Sequence, residues 1–163
     1  MNPIFYREIS NANKSWFSQT DPTVDFKGTA FIGRDVTIEE HCRIGDSVSI
    51  GHHTCIRANT IIEDYVFIGS HVIFETIQGI NWQRNKDIER EPIIIKKAAR
   101  IMSGTILLPG ITIGVNSLIG SGSMITRNVP NGEIWYGHPA KKRGLVDPTD
   151  IPIEMLKKET FDI

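Results

Sequence analysis

Every sixth residue of the chain is isoleucine, or a close substitute, for most of its length. From Phe26 the positions are Ile32, Ile38, Ile44, Ile50, Ile56, Ile62, Ile68 and Phe74; after a gap they resume at Ile95, Ile101, Leu107, Ile113, Ile119 and Ile125. A second ladder of mostly smaller residues stands four places after each member of the first: Ala30, Val36, Cys42, Val48, Thr54, Thr60, Val66 and Val72, then Ala99, Thr105, Ile111, Ser117, Ser123 and Val129. A period of six matches neither the roughly 3.6-residue turn of a helix nor the two-residue alternation of a flat strand. It fits a strand that turns a corner every six residues, with one large and one small side chain pointing inward per side. Such a repeat predicts an all-β solenoid, a parallel β-helix whose coils bury their cores only against neighbouring coils.

The ladder divides the chain. Residues 1–25 lie outside it and are expected to cap the open end of the stack, with Phe5, Tyr6, Trp16 and Phe17 as the covering side chains. The coils occupy residues 26–132, and their rungs, at three per turn, predict about five coils, ~24 Å tall at the ~4.8 Å strand spacing. Between Phe74 and Ile95 the repeat is interrupted by extra chain, so residues 75–92 are expected to form one long loop. Long loops in compact domains are usually functional. Residues 133–163 form a tail, ending in a short helix with Pro152 in its first turn.

A formal net charge of −1 over 163 residues gives no general pull toward nucleic acid or an anionic membrane. No apolar run reaches the ~20 residues of a membrane span, and the first residues, MNPIFYREIS, lack a signal-peptide pattern. Two cysteines do not make a disulfide framework. With Cys42 on an inward position and Cys55 on an outward one, both read as unpaired thiols, and a cytoplasmic setting is expected.

The repeat units read IGRDVT, IGDSVS, IGHHTC, IGSHVI, IGVNSL and IGSGSM, and the closing block reads LPGITIGVNSLIGSGSMITRNVPNGEIWYGHPAK. Over about residues 26–143 the chain resembles the hexapeptide-repeat acyltransferases, nearest to the sugar and amino-sugar acetyltransferases. The resemblance implies a left-handed coil, a homotrimer, and acetyl-CoA as co-substrate in a groove between subunits, with no metal. Two departures stand out. His138 occupies the place of an asparagine in the family's closing motif, and the loop lacks the histidine of the maltose-type enzymes. The stretch IGSHVIF ahead of the loop resembles the amino-sugar N-acetyltransferases instead.

Three six-residue sides make one coil, so residues 18 apart share a corner. If the loop adds no net phase, one corner column reads Asp35, His53, His71, Gly104, Gly122, and the neighbouring column reads Arg34, His52, Ser70, Ser103, Ser121. The upper half has almost no side-chain bulk and lies above a histidine. A pantetheine arm fits along Ser103–Gly104 and Ser121–Gly122, bonded to exposed amides where glycine permits close approach. Its thioester then arrives near His71. An acceptor must lose a proton to attack a thioester, and imidazole suits that task near neutral pH. His71 is therefore the expected base, His53 its orienting partner or substitute, and Glu75 at the loop root a further candidate. Arg127, Lys141 and Lys142, with Arg143, stand where the family's closing motifs meet the CoA phosphates. Trp82, Arg84 and Asn85 on the loop are expected to bind the acceptor, a sugar nucleotide or sugar.

The expected activity is thus N-acetylation of a nucleotide-linked amino sugar. O-acetylation of a sugar or antibiotic is the alternative within the same chemistry. A γ-class carbonic anhydrase shares the coil but needs three imidazoles on one zinc; His53 and His71 supply two, and a neighbouring subunit would have to supply the third. A non-catalytic assembly subunit is the remaining class, and it predicts no small-residue strip above His71.

Overall fold

In the computed structural model, which describes residues 7–9, 18–77 and 91–152, both ladders point inward. Every member of the isoleucine ladder from Ile32 to Ile125 is buried, and so is every member of the smaller ladder from Ala30 to Val129. The hydroxyls of the smaller ladder are satisfied in place. Thr60 donates to the Arg57 carbonyl (2.6 Å), Thr105 to Met102 (2.7 Å), Ser117 to Pro130 (2.7 Å) and Ser123 to Gly120 (2.6 Å). Threonine and serine can therefore alternate with valine in the core at little cost.

Three sheets form the sides of the coil. Sheet A carries the parallel strands Ala30–Ile32, Val48–Ile50, Phe67–Ile68, Arg100–Ile101, Leu118–Ile119 and Glu133–Gly137. Sheet B runs Gln19–Thr20, Thr37–Ile38, Cys55–Ile56, Ile73–Phe74, Ile106–Leu107 and Met124–Ile125. Sheet C runs Asp25–Phe26, Arg43–Ile44, Ile61–Ile62, Ile94–Ile95 and Thr112–Ile113. The stack is about six coils rather than five. The additional rung at the base begins with Gln19–Thr20, a polar pair held by its alignment with Thr37–Ile38 rather than by a large apolar side chain.

Both ends of the parallel stack in sheet A are covered by an antiparallel strand, which shields the parallel edges from further pairing. Arg7–Ile9 runs against Ala30–Ile32 at the base. At the top, Ala140–Leu145 folds back on Glu133–Gly137, and Trp135 from that hairpin is buried as a lid over the core. The aromatic residues expected to cap the base, the loop residues 78–90 and the expected C-terminal helix lie outside the described residues.

The corners explain the rest of the motif. Gly69 follows Ile68 because the backbone of the next coil passes too close for any side chain: a Cβ there would stand 2.5 Å from the Ser103 nitrogen. Each turn then places its second residue at positive φ. Asp35, His41, Ser47, His53, Asn59, Tyr65, His71, Ala98 and Asn116 adopt φ of 54–61°, and Gly104, Gly110 and Gly122 adopt 66–73°. An L-residue held there costs about 1–2 kcal/mol, so the coil holds these corners by its closed hydrogen-bond ladder. The loop does not disturb the phase. Ile68 pairs with Ile50 below and Ile101 above, so the column of residues 18 apart continues across the insertion.

Candidate functional site

The corner between sheets A and B carries Asp35, His53, His71, Gly104 and Gly122 on successive rungs, all at positive φ. That backbone turns each side chain outward, and the coil spacing sets their separation. The rings of His53 and His71 lie with centroids 4.9 Å apart and planes tilted by 32°, about the spacing of adjacent strands. Below them Asp35 Oδ2 stands 3.5 Å from His53 Nδ1, the two side chains being 58% and 48% exposed. Carboxylate, imidazole and imidazole thus form one column. Asp35 belongs to the 18-residue series in the sequence, but an aspartate at an open corner carries no signal of its own there.

Above His71 the column is bare. A Cβ on Gly104 would meet only Gly122, at 3.8 Å, and one on Gly122 would meet nothing within 4 Å. The amides of this column are committed, contrary to the expectation that they lie open. Each binds a carbonyl one coil below: His53 to Arg34 O, His71 to His52 O, Gly104 to Ser70 O and Gly122 to Ser103 O, all at 2.9 Å. A ligand on the strip meets flat backbone and carbonyls, and its donors must come from the neighbouring column.

That column is itself a ladder. Arg34 N–H donates to His52 Nδ1 (2.8 Å), His52 N–H to Ser70 Oγ (3.1 Å) and Ser70 N–H to Ser103 Oγ (3.1 Å). Ser103, expected to meet CoA, already accepts from the coil below. Ser121 stands exposed one rung above it.

Glu75 lies elsewhere. It sits at the far end of the sheet B strand Ile73–Phe74, one rung above Arg57, which pairs with Glu39 at 2.7 Å. Its charge and that of Glu39 act on Cys55 and Arg57 rather than on the histidine corner. The loop opens at this same corner, between sheets B and C, where the Glu91 amide bonds Thr76 O at 2.9 Å and the Gly110 amide bonds Glu91 O at 3.2 Å. His71 and the loop root are therefore close in sequence but at adjacent corners of the prism. Trp82, Arg84 and Asn85 lie outside the described residues.

The basic residues gather on the top hairpin and beside it. The Arg127 guanidinium lies 5.3 Å from the Trp135 ring, and that of Arg143 5.2 Å from the Tyr136 ring. Lys141 is exposed. Lys142 is engaged: its ammonium is 2.6 Å from Glu133 Oε1, and this bond, followed by the Trp135 indole N–H, holds the Glu133 carboxyl below the usual carboxylate range. Cys42 is buried and its thiol is pushed up to about 11, first by desolvation; Cys55 is pushed up by the same cause. Neither is a poised nucleophile. Among the described residues no three or more His, Cys, Asp or Glu side chains converge on a point that would hold a metal ion, and no helix is long and apolar enough to cross a membrane.

Residues 41–75 match the family described as bacterial transferase hexapeptide (six repeats). The chain is 30% identical over 119 residues to a galactoside O-acetyltransferase of Lactococcus lactis, covering 65% of this chain and 56% of that protein. It is 26% identical over 148 residues to a mitochondrial γ carbonic anhydrase of Arabidopsis thaliana, covering 87% of this chain and 53% of that protein. The chain thus spans about half the length of these curated relatives. Among solved structures, an N-acyltransferase from Bacillus cereus in complex with dTDP-4-amino-4,6-dideoxyglucose and coenzyme A superposes with a TM-score of 0.75 at 18% identity, covering 90% of this chain and 84% of that one. At that identity the likeness is one of fold.

Proposed function

We propose that the chain is a transferase of the hexapeptide-repeat kind it resembles and that it transfers an acetyl group from acetyl-CoA to a small sugar acceptor, with the amine of a nucleotide-linked amino sugar as first choice. The observation that carries this reading is the column itself. A side-chain-free strip at Gly104 and Gly122 runs down onto the exposed His71 imidazole. A thioester laid along the strip brings its carbonyl carbon to the acceptor beside His71. The acceptor nitrogen attacks that carbon as His71 takes its proton; the C–N bond forms, the C–S bond breaks, and the proton passes to the departing sulfur as free CoA thiol. On this reading Arg127, Lys141 and Arg143 meet the CoA phosphates, and Lys142 joins them by leaving Glu133, to which it is bonded at 2.6 Å.

A homotrimer completes this picture. Phe67 on sheet A and Ile73 on sheet B are exposed apolar residues flanking the His71 corner, so a neighbouring copy packed there would cover apolar surface and close the site. The loop opens one corner away, and an adjacent subunit's loop is the natural source of acceptor contacts. Light scattering that gave a monomer at micromolar concentration would overturn the shared site.

Similarity to a galactoside O-acetyltransferase favours a second reading, in which the acceptor is a sugar hydroxyl. The γ carbonic anhydrase likeness spans more of the chain, and stoichiometric zinc in protein purified without a histidine tag would turn the assignment that way. The deciding assay is thiol release from acetyl-CoA, followed with a disulfide dye, across amino-sugar nucleotides and simple sugars. Release with an amino-sugar nucleotide supports the first reading. Release only with unmodified sugars supports the second, and none with any acceptor, together with no thermal shift on adding acetyl-CoA, removes both.

A further inference from the structure

We propose that Asp35 is a positioning residue for the reaction, acting through His53 on His71. The inference rests on His71 being the base. The three residues occupy successive coils of one corner, with Asp35 Oδ2 3.5 Å from His53 Nδ1 and the His53 ring 4.9 Å beneath that of His71. The backbone of each is fixed at φ 55–57°, so their vertical order is set by the coil and not by the side chains.

The chemistry follows from that order. The carboxylate stands beside Nδ1, the nitrogen at which a neutral His53 would present its N–H to Asp35, and the His53 ring lies under that of His71 with the planes tilted by 32°. When His71 accepts the acceptor's proton, the new positive charge lies against this imidazole, with the Asp35 charge beneath. Cation and ring face attract, and the carboxylate acts by holding the His53 ring in this orientation. His52, the neighbour of His53 in sequence, is held the opposite way: its Nδ1 accepts the Arg34 amide at 2.8 Å and so bears no proton. Two adjacent histidines with opposite proton placement give the proposal an internal standard.

The test is made on the whole chain with three variants, Asp35→Asn, His53→Phe and the pair together. With the acceptor identified by the thiol-release screen, Asp35→Asn is expected to lower kcat about three- to tenfold with KM for acetyl-CoA unchanged. His53→Phe keeps a ring under His71 but removes Nδ1, and should fall to a similar level. Because Asp35 acts through His53, the double variant should be no slower than His53→Phe alone. Losses that multiply, or an unchanged kcat in Asp35→Asn, overturn the proposal. Nitrogen NMR of the imidazoles gives a second readout that needs no substrate. His53 should carry its proton on Nδ1 in the wild-type protein and lose that preference in Asp35→Asn, while His52 keeps its proton on Nε2 in both. An unaltered His53 spectrum in Asp35→Asn overturns the proposal even if every acceptor fails, whereas a wild-type chain inactive on all acceptors with the expected spectra counts against the transferase reading alone.

Discussion

The backbone amide of Arg34 donates to the Nδ1 of His52 across 2.8 Å, one coil up. An imidazole here does what Ser70 and Ser103 do on the coils above, accepting a backbone N–H that the turn leaves unpaired. His52 is thereby a structural residue standing next to the histidine proposed to position the base.

His52→Ala should therefore lower stability and leave catalysis alone. Losing one acceptor for a partly exposed amide is worth about 1 kcal/mol. Urea denaturation should show a lower midpoint with an unchanged slope, and kcat at a temperature where both proteins are folded should stay within twofold as an order of magnitude.

His71→Asn should do the reverse. Asparagine tolerates the left-handed backbone that residue 71 adopts at φ 57°, so the coil persists. Removal of the base should lower kcat by ~10²–10⁴-fold, with acetyl-CoA binding by calorimetry intact. A variant retaining more than half of wild-type kcat between about pH 6 and 8 would place proton transfer elsewhere.

Gly122→Asn tests the strip. A side chain at this corner meets no protein atom within 4 Å, so the fold has room for it. The same space is where the pantetheine arm is proposed to lie. The dissociation constant for acetyl-CoA should rise roughly tenfold or more, since steric displacement of a bound segment readily costs about 1.4 kcal/mol. Unchanged affinity would move the arm off this corner.

Cys42 predicts a pH dependence of stability. Its thiol donates to the Arg57 carbonyl at 3.1 Å in a fully buried position, and desolvation raises its pKa from the ordinary 9.0 to about 11. The folded state holds this proton more tightly than the unfolded chain. The stability it contributes is complete below pH 9.0, falls as pH rises toward about 11, and is gone above that. The loss is up to about 3 kcal/mol on the scale of ~1.4 kcal/mol per pKa unit. Denaturation at pH 8 and pH 10.5 under reducing conditions should show a smaller alkaline loss in Cys42→Val than in the wild-type protein.

The inward columns were legible because burial imposes one strict requirement per side, and isoleucine meets it with little variation. The corners were not. Of the residues at positive φ the glycines announce themselves, and Asp35, Asn59 and Asn116 are of types that favour that backbone; Tyr65 and Ala98 adopt it with nothing in their chemistry to signal it. The lowest rung was missed because Gln19–Thr20 is polar and gains its place from Thr37–Ile38 alone. In the candidate site, the stacking of His53 under His71 followed from spacing, since 18 residues return the chain to one corner. The commitment of the Ser103 hydroxyl and the Gly104 and Gly122 amides did not, because composition is silent on which partner a polar atom takes. The root of the loop stands at the next corner from His71 because four residues, from His71 to Glu75, carry the chain across a whole side of the prism.

The hydrogen bond from the Glu91 amide to the Thr76 carbonyl closes the excursion at its neck. Strand pairing resumes above it in the register it left, Ile94 over Ile61 and Ile95 over Ile62. The scaffold is thereby blind to what hangs from that neck. Such a joint lets selection exchange the segment proposed to bind the acceptor as a cassette, lengthening or rewriting it while the histidine column one corner from its root keeps its spacing. Recognition and chemistry can then evolve at different speeds within one small chain.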